Sequence, residues 1–176
     1  MPIGLSGSIL GSLALSVTAS PSQPYQILGT FASAPRTCAV LQAAYTAAIN
    51  RNAPAYPNDV RAADRTFRLA ETVPEYHAKL GVSAKEYEDF VEQQATYNTP
   101  GFRPNCDWKG LAGPLKDDEG HSTYVTFTSP IFSKNGRIAV VETSFRETGM
   151  FGYGLICTVR LKHSSWVAQC LQSWIT

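Results

Sequence analysis

Charge is missing from a long N-terminal stretch: the first charged side chain in the 176-residue sequence is Arg36. Elsewhere charge is sparse and balanced, with 15 Lys and Arg against 14 Asp and Glu and a net of +1. That balance supplies no broad basic face for a phosphate backbone, which argues against nucleic acid as the main partner. No Cys-x-x-Cys spacing occurs among the four cysteines, which disfavours a zinc ribbon. There is no Gly-x-Ser-x-Gly, no phosphate-cradling glycine loop and no His-Glu-x-x-His, so none of the common local catalytic motifs is present. Catalytic groups gathered from distant segments are still open. No metal or cofactor is called for, and a chain of this length removes roughly 70% of its unfolded surface on folding without either.

The uncharged start is shaped like an export leader. Residues 4–17 form a mild apolar run, too short for the roughly 20 helical residues that cross a bilayer. Val17 and Ala19 are small enough for cleavage after Ala19, although only the α-amino group supplies positive charge. The alternatives are a Gly/Ser-rich arm or a missed upstream start. Residues 1–19 therefore read as a signal peptide, 20–35 as a Pro- and Ser-rich linker and 36–176 as one domain, with no transmembrane segment in the mature chain.

Within that domain, three- and four-residue spacing of Cys38, Leu41, Tyr45, Ala48 and Ile49 predicts a helix over 36–51, ended by Pro54 and Pro57. Residues 60–70 read as a strand. Ser83 and Glu86 form a capping box that starts a second helix over 84–94, with Tyr87, Phe90 and Val91 as its buried stripe. The turn formers between Thr96 and Gly120 predict a long loop, the first place to look for a ligand. Two-residue alternation then predicts strands 124–132 and 137–145 around Asn135-Gly136, with Pro130 marking a bulge or an edge. Two more strands, 151–161 and 166–175, meet at Lys162-His163-Ser164-Ser165. The fold class is α+β: two helices packed on an antiparallel sheet of four to five strands, ending in a C-terminal β-meander.

With His163 and Ser164 at the last turn, Leu161 faces Trp166, Val159 faces Ala168, Cys157 faces Cys170 and Tyr153 faces Trp174. All these pairs are apolar, while Thr158, Arg160, Gln169 and Ser173 fall on a mixed or wet face. Cys157 and Cys170 are therefore placed for a cross-strand disulfide in an oxidising compartment; the alternative is two packed thiols. Cys38 and Cys106 would be the remaining pair, and their bond would pin the long loop to the first helix.

The run Phe127-Thr128-Ser129-Pro130-Ile131-Phe132-Ser133-Lys134-Asn135-Gly136-Arg137-Ile138-Ala139-Val140-Val141, with Gly149, Gly152-Tyr153-Gly154 and Trp166, resembles small bacterial exported proteins. There a helix and a Ser-x-x-Glu helix precede such a hairpin, followed by a cysteine-containing turn and a Gly-Lys-Trp strand start. Here the turn Glu147–Gly152 lacks cysteine, and Ser165 replaces the lysine. The resemblance covers roughly residues 36–176, implies export and this fold class, and carries no catalytic residues. A fainter likeness to nuclear-transport-factor-2-like domains implies a cone-shaped pocket between helices and sheet.

Candidate ligand-binding residues are Trp108, Tyr124, His121, Glu142 and Arg146; no catalytic or metal residue is assigned. Asp117, Asp118, Glu119 and His121 form the densest polar cluster but lack the alternate spacing that aims carboxylates at one calcium ion. Glu142 lies on a predicted central strand, either tuned by desolvation as an acid/base or paired with Arg146 or Arg160. Asp64, Arg65 and Arg68 either line a cleft or form surface pairs. Tyr97, Phe102, Trp108 and Tyr124 offer contact area or core. The reading is a periplasmic or secreted bacterial domain that binds an unknown protein or small ligand without catalysis. The rival is a small-molecule enzyme or carrier that uses Glu142 or His121.

Overall fold

The computed structural model describes Met1 and residues 34–69, 74–114, 123–147 and 151–175. The expected leader, most of the linker, and His121 with its acidic neighbours lie outside the described residues. The described elements are helices α1 (Ala34–Ala48), α2 (Pro74–Lys79) and α3 (Ala84–Tyr97), and strands β1 (Ala55–Tyr56), β2 (Val60–Arg61), β3 (Leu111–Ala112), β4 (Thr123–Phe127), β5 (Ile131–Phe132), β6 (Ile138–Glu147), β7 (Gly152–Lys162) and β8 (Ser165–Ile175). Six strands form one sheet in the order β2-β4-β6-β7-β8 with β5 also on β6, and β1 and β3 form a separate pair. The architecture is α+β. It departs from the expected one in having a third helix, a sixth strand in the sheet, and parallel β2–β4 and β1–β3 pairings.

Helix α1 covers one face of the sheet. Its stripe of Val40, Leu41, Ala44 and Tyr45 is buried against Val125, Phe127, Ala139, Val141, Phe145, Cys157 and Val159. The larger of these, such as Val40 and Leu41, each contribute roughly 2 kcal/mol when withdrawn from water. The helix stops at Ala48, not at residue 51, before either proline acts. Asn50 takes φ 51°, and the amides of Asn50 and Arg51 donate to the carbonyls of Ala47 and Thr46 in a Schellman motif. Arg36, the first charge of the chain, donates to the Gly136 carbonyl and lies 4.2 Å from the centre of the Phe132 ring.

The opposite face, expected to be mixed or wet, carries a second core. Phe67, Leu69, Leu80 and Phe90 cover Ile131, Ile138, Val140 and Ile156. Residues 62–69 are not the strand expected there. The end of this segment is held by side chains, with Gln94 Oε1 accepting from Leu69 N at 2.5 Å and Asn98 Nδ2 donating to Phe67 O at 2.8 Å, while Ala63 N donates to the backbone carbonyl of Phe102. The α3 capping box is present in both halves, and the helix runs three residues longer than expected. Val91 is exposed; Tyr87, Phe90 and Tyr97 face inward.

Pro130 sits in a bulge. Phe127 pairs with Thr143 and Ile131 with Val140, so three residues of one strand oppose two of the other, splitting the expected 124–132 strand into β4 and β5. At the following turn only Gly136 takes positive φ, 67°, while Asn135 stays on the ordinary side. The last hairpin follows the expected register from Lys162–Ser165 through Leu155–Gln172, then slips by one. Gly154, not Tyr153, faces Trp174, and Ser173 is the extra residue. Because side chains alternate, that slip moves Trp174 to the face opposite α1.

Both cysteine pairs are bonded. Cys38–Cys106 spans 68 residues and ties α1 to the long loop, and Cys157–Cys170 bridges β7 and β8 with a Cα–Cα distance of 4.0 Å. Among the described residues no helix is long and apolar enough to cross a membrane.

Candidate functional site

Glu142 is 5% exposed at the centre of the face opposite α1. Its Oε1 accepts from Ser144 Oγ at 3.1 Å, from Trp174 Nε1 at 2.9 Å and from the Arg65 guanidinium. Two guanidinium groups lie near the Trp174 ring, Arg65 at 5.2 Å and Arg146 at 4.7 Å from its centre. Arg146 in turn pairs with Asp64 at 3.2 Å. Glu142 is thus held by Arg65, whereas Arg146 goes to Asp64 and Arg160 to Glu86 at 3.0 Å, correcting the expected Glu142 pairings with Arg146 or Arg160. Asp64 and Arg65 arrive on the irregular 62–69 segment, so a strand there would not have delivered them.

The indole has room because of the Gly152-Tyr153-Gly154 run. A β-carbon at residue 154 would stand 2.0 Å from Trp174 Nε1, and one at residue 152 would stand 3.3 Å from the indole's far edge. Chemically, this arrangement gives one buried carboxylate oxygen three donors and a ring two cations. Every donor to that oxygen is a group of this chain.

Among its described residues the long loop is pinned between Phe102 and Lys109. Phe102, Cys106 and Trp108 pack against the α1-side core. Trp108 Nε1 donates to Cys38 O at 3.1 Å, its ring meets Phe127 edge-on at 6.2 Å, and Gln42 donates to Lys109 O. Outside this packed row, residues 103–108 and residues 56–60 enclose an open groove of about 360 Å³, with Tyr56, Asn58, Arg103, Asp107 and Trp108 among its walls. Tyr97 also packs on the core, tilted against Phe132 at 5.6 Å. Tyr124 lies under the Arg61 guanidinium at 3.9 Å, on the strand pair that places it opposite Arg146. The structure therefore brings Glu142, Arg146 and Tyr124 to one face and puts Trp108 on the other. His77 lies in α2 with its ring 3.8 Å from that of Tyr87. Among the described residues no cluster of His, Cys, Asp and Glu could hold a metal.

Sequence reasoning missed Trp174 as a member of the Glu142 cluster. The Gly-x-Gly run on the facing strand was its available signal, since paired glycines on one face of a strand leave space for a ring. Comparison of the chain with protein-family models, curated proteins and solved structures finds no match.

Proposed function

We propose that this chain is an exported binding module of the bacterial envelope or exterior, without catalytic chemistry, and that its ligand site is the groove between residues 56–60 and 103–108. The observation that carries this reading is the Cys38–Cys106 disulfide, which fixes the groove-forming loop to α1. A bond of this kind persists where thiols are oxidised, outside the cytoplasm. It also holds a cleft of about 360 Å³ in place before any ligand arrives, within the size range of small-molecule sites. The uncharged leader and the resemblance to exported bacterial proteins agree with that compartment. Glu142 supports the non-catalytic reading, because its Oε1 is already engaged by Arg65, Ser144 and Trp174.

The test is expression with the native N-terminus in a bacterium, followed by fractionation and intact-mass analysis after alkylation with and without reductant. A periplasmic product that begins at Ser20 and takes up alkyl groups only after reduction is expected. A cytoplasmic, full-length product with four free thiols overturns the reading. Ligand binding at the groove is then followed by the fluorescence of Trp108 and its loss in Trp108→Phe.

A further inference from the structure

Strand β8 ends the six-stranded sheet, and among the described residues no strand pairs with its outer side. It is 11 residues long and contains no charged residue and no proline. Those are the devices by which sheet edges are ordinarily kept from pairing with other chains. The opposite edge, β2, is two residues long and carries Arg61.

The outward-facing groups of β8 can be identified. In an antiparallel ladder, paired residues alternate between those that exchange hydrogen bonds and those that do not, and the second kind lie closer. Cys157 and Cys170 are 4.0 Å apart at Cα, which fits the second kind. Leu161 N donates away from β8, to Arg137 O at 2.8 Å, so its partner Trp166 belongs to the same set. The amides and carbonyls of Trp166, Ala168, Cys170 and Gln172 therefore point out of the sheet edge. Beside them runs an open groove of about 470 Å³ between α1 and the start of β8, walled by Ala39, Ala43, Ala47, Ser165 and Val167 among others. Val167 is 45% exposed.

We infer that this edge is where two copies of the chain associate, β8 pairing antiparallel with β8 of the second copy about a two-fold axis. A two-fold pair of identical strands exchanges the same donors and acceptors reciprocally, so the row from Trp166 to Gln172 satisfies itself. The axis stands perpendicular to the sheet and places both α1 helices on the same face, each turning its Ala39, Ala43 and Ala47 flank toward the other across the groove. Charge permits this occupant: β8 is neutral along its whole length, so two copies pair along the ladder without like-charge repulsion, and the one charged residue lining the groove, Arg51, lies beyond the end of α1. The eight residues before the Ser173 irregularity give about 27 Å of edge, and with the helix layer a patch on the order of 500 Å² per copy. That is below the roughly 800 Å² per partner of a standard interface and falls in the range of weak, transient association.

The test is sedimentation velocity of the oxidised protein up to about 100 μM, a range that captures micromolar association. Wild type is expected at twice the chain mass. Val167→Lys/Gln169→Lys, which charges exposed edge positions, and separately Ala43→Arg on the α1 flank are expected to weaken dimerisation at least tenfold with both disulfides and the circular dichroism spectrum retained. A dimer indifferent to both variants overturns the inference by placing the interface elsewhere. A monomeric wild type overturns it as well. In that case, slow exchange of the Trp166, Ala168 and Cys170 amides assigns the edge to this chain's own residues before Ala34, and fast exchange leaves it open for a partner's extended peptide.

Discussion

Gly154 faces Trp174 across the last hairpin, and the indole occupies the space in which a β-carbon at 154 would stand. The absence of a side chain on β7 is thus what lets Trp174 Nε1 reach Glu142 Oε1 at 2.9 Å. Gly154→Ala is expected to expel the ring, cost about 2–4 kcal/mol and red-shift tryptophan emission. Trp174→Phe removes only the donor and is expected to cost about 1–3 kcal/mol. In a double-mutant cycle with Glu142→Gln, urea unfolding is expected to give a coupling of about 1 kcal/mol or more; additive losses would show that the contact contributes nothing specific.

The two disulfides close loops of different length, 68 and 13 residues. Loop-closure entropy assigns about 4 kcal/mol to the longer and about 3 kcal/mol to the shorter. Cys38→Ala/Cys106→Ala is therefore expected to lower the melting temperature more than Cys157→Ala/Cys170→Ala, and to raise amide exchange selectively between residues 101 and 110. Equal losses, with the loop amides still protected, would mean that Trp108 and Gln42 hold the loop without the bond.

What could be read from the sequence was what local chemistry decides. The Ser83 and Glu86 box lies within one turn, and the register of the last hairpin follows from a two-residue turn and the two-residue period, which placed Cys157 opposite Cys170. The failures were non-local. Past Arg61 the 62–69 segment leaves the sheet, and Gln94 on α3 and Asn98 at its C-terminal cap, distant in sequence, hold Leu69 N and Phe67 O. The slip at Ser173 carries no mark in its own composition, yet it changes the face of Trp174 and with it the membership of the Glu142 cluster. Glu142, Arg146, Arg65 and Asp64 each stood out as charges near apolar strands. Their pairing depended on the irregular segment and could not be read from spacing along the strands.

Glu86 closes the capping box and accepts from Arg160 Nη1 at 3.0 Å and from Ser83 N at 2.7 Å. The Arg160 hydrogen bond first, then the Ser83 amide, pull its carboxyl down to about 2 from an ordinary 4.5. A depressed carboxyl stabilises the folded state above its unfolded value, and that contribution is lost as pH falls from about 4.5 toward 2. The side chain is one-third exposed, so solvent screens the pair, and the combined cap and ion pair contribute about 1 kcal/mol. Glu86→Gln is expected to lose about that much at pH 7 and to flatten the acid limb of urea midpoints measured from pH 6 to pH 2. An unchanged limb would place the acid sensitivity on other carboxylates.

Tyr45 is expected to act at the alkaline end. It is 2% exposed on the buried face of α1, and burial first, then Tyr153, push its hydroxyl from 10.0 up to about 12. Above pH 10 the unfolded chain loses this proton while the folded chain keeps it, so stability falls as pH rises from 10 toward 12, by about 1 kcal/mol over the first unit. Removing the hydroxyl removes that term and leaves the ring stacked on Phe145, whose centre lies 6.0 Å away. Between pH 8 and pH 11 the urea midpoint of wild type is therefore expected to fall relative to that of Tyr45→Phe, whatever their separation at pH 8. Parallel curves would mean that the Tyr45 proton is as easily lost from the folded protein as from the unfolded chain.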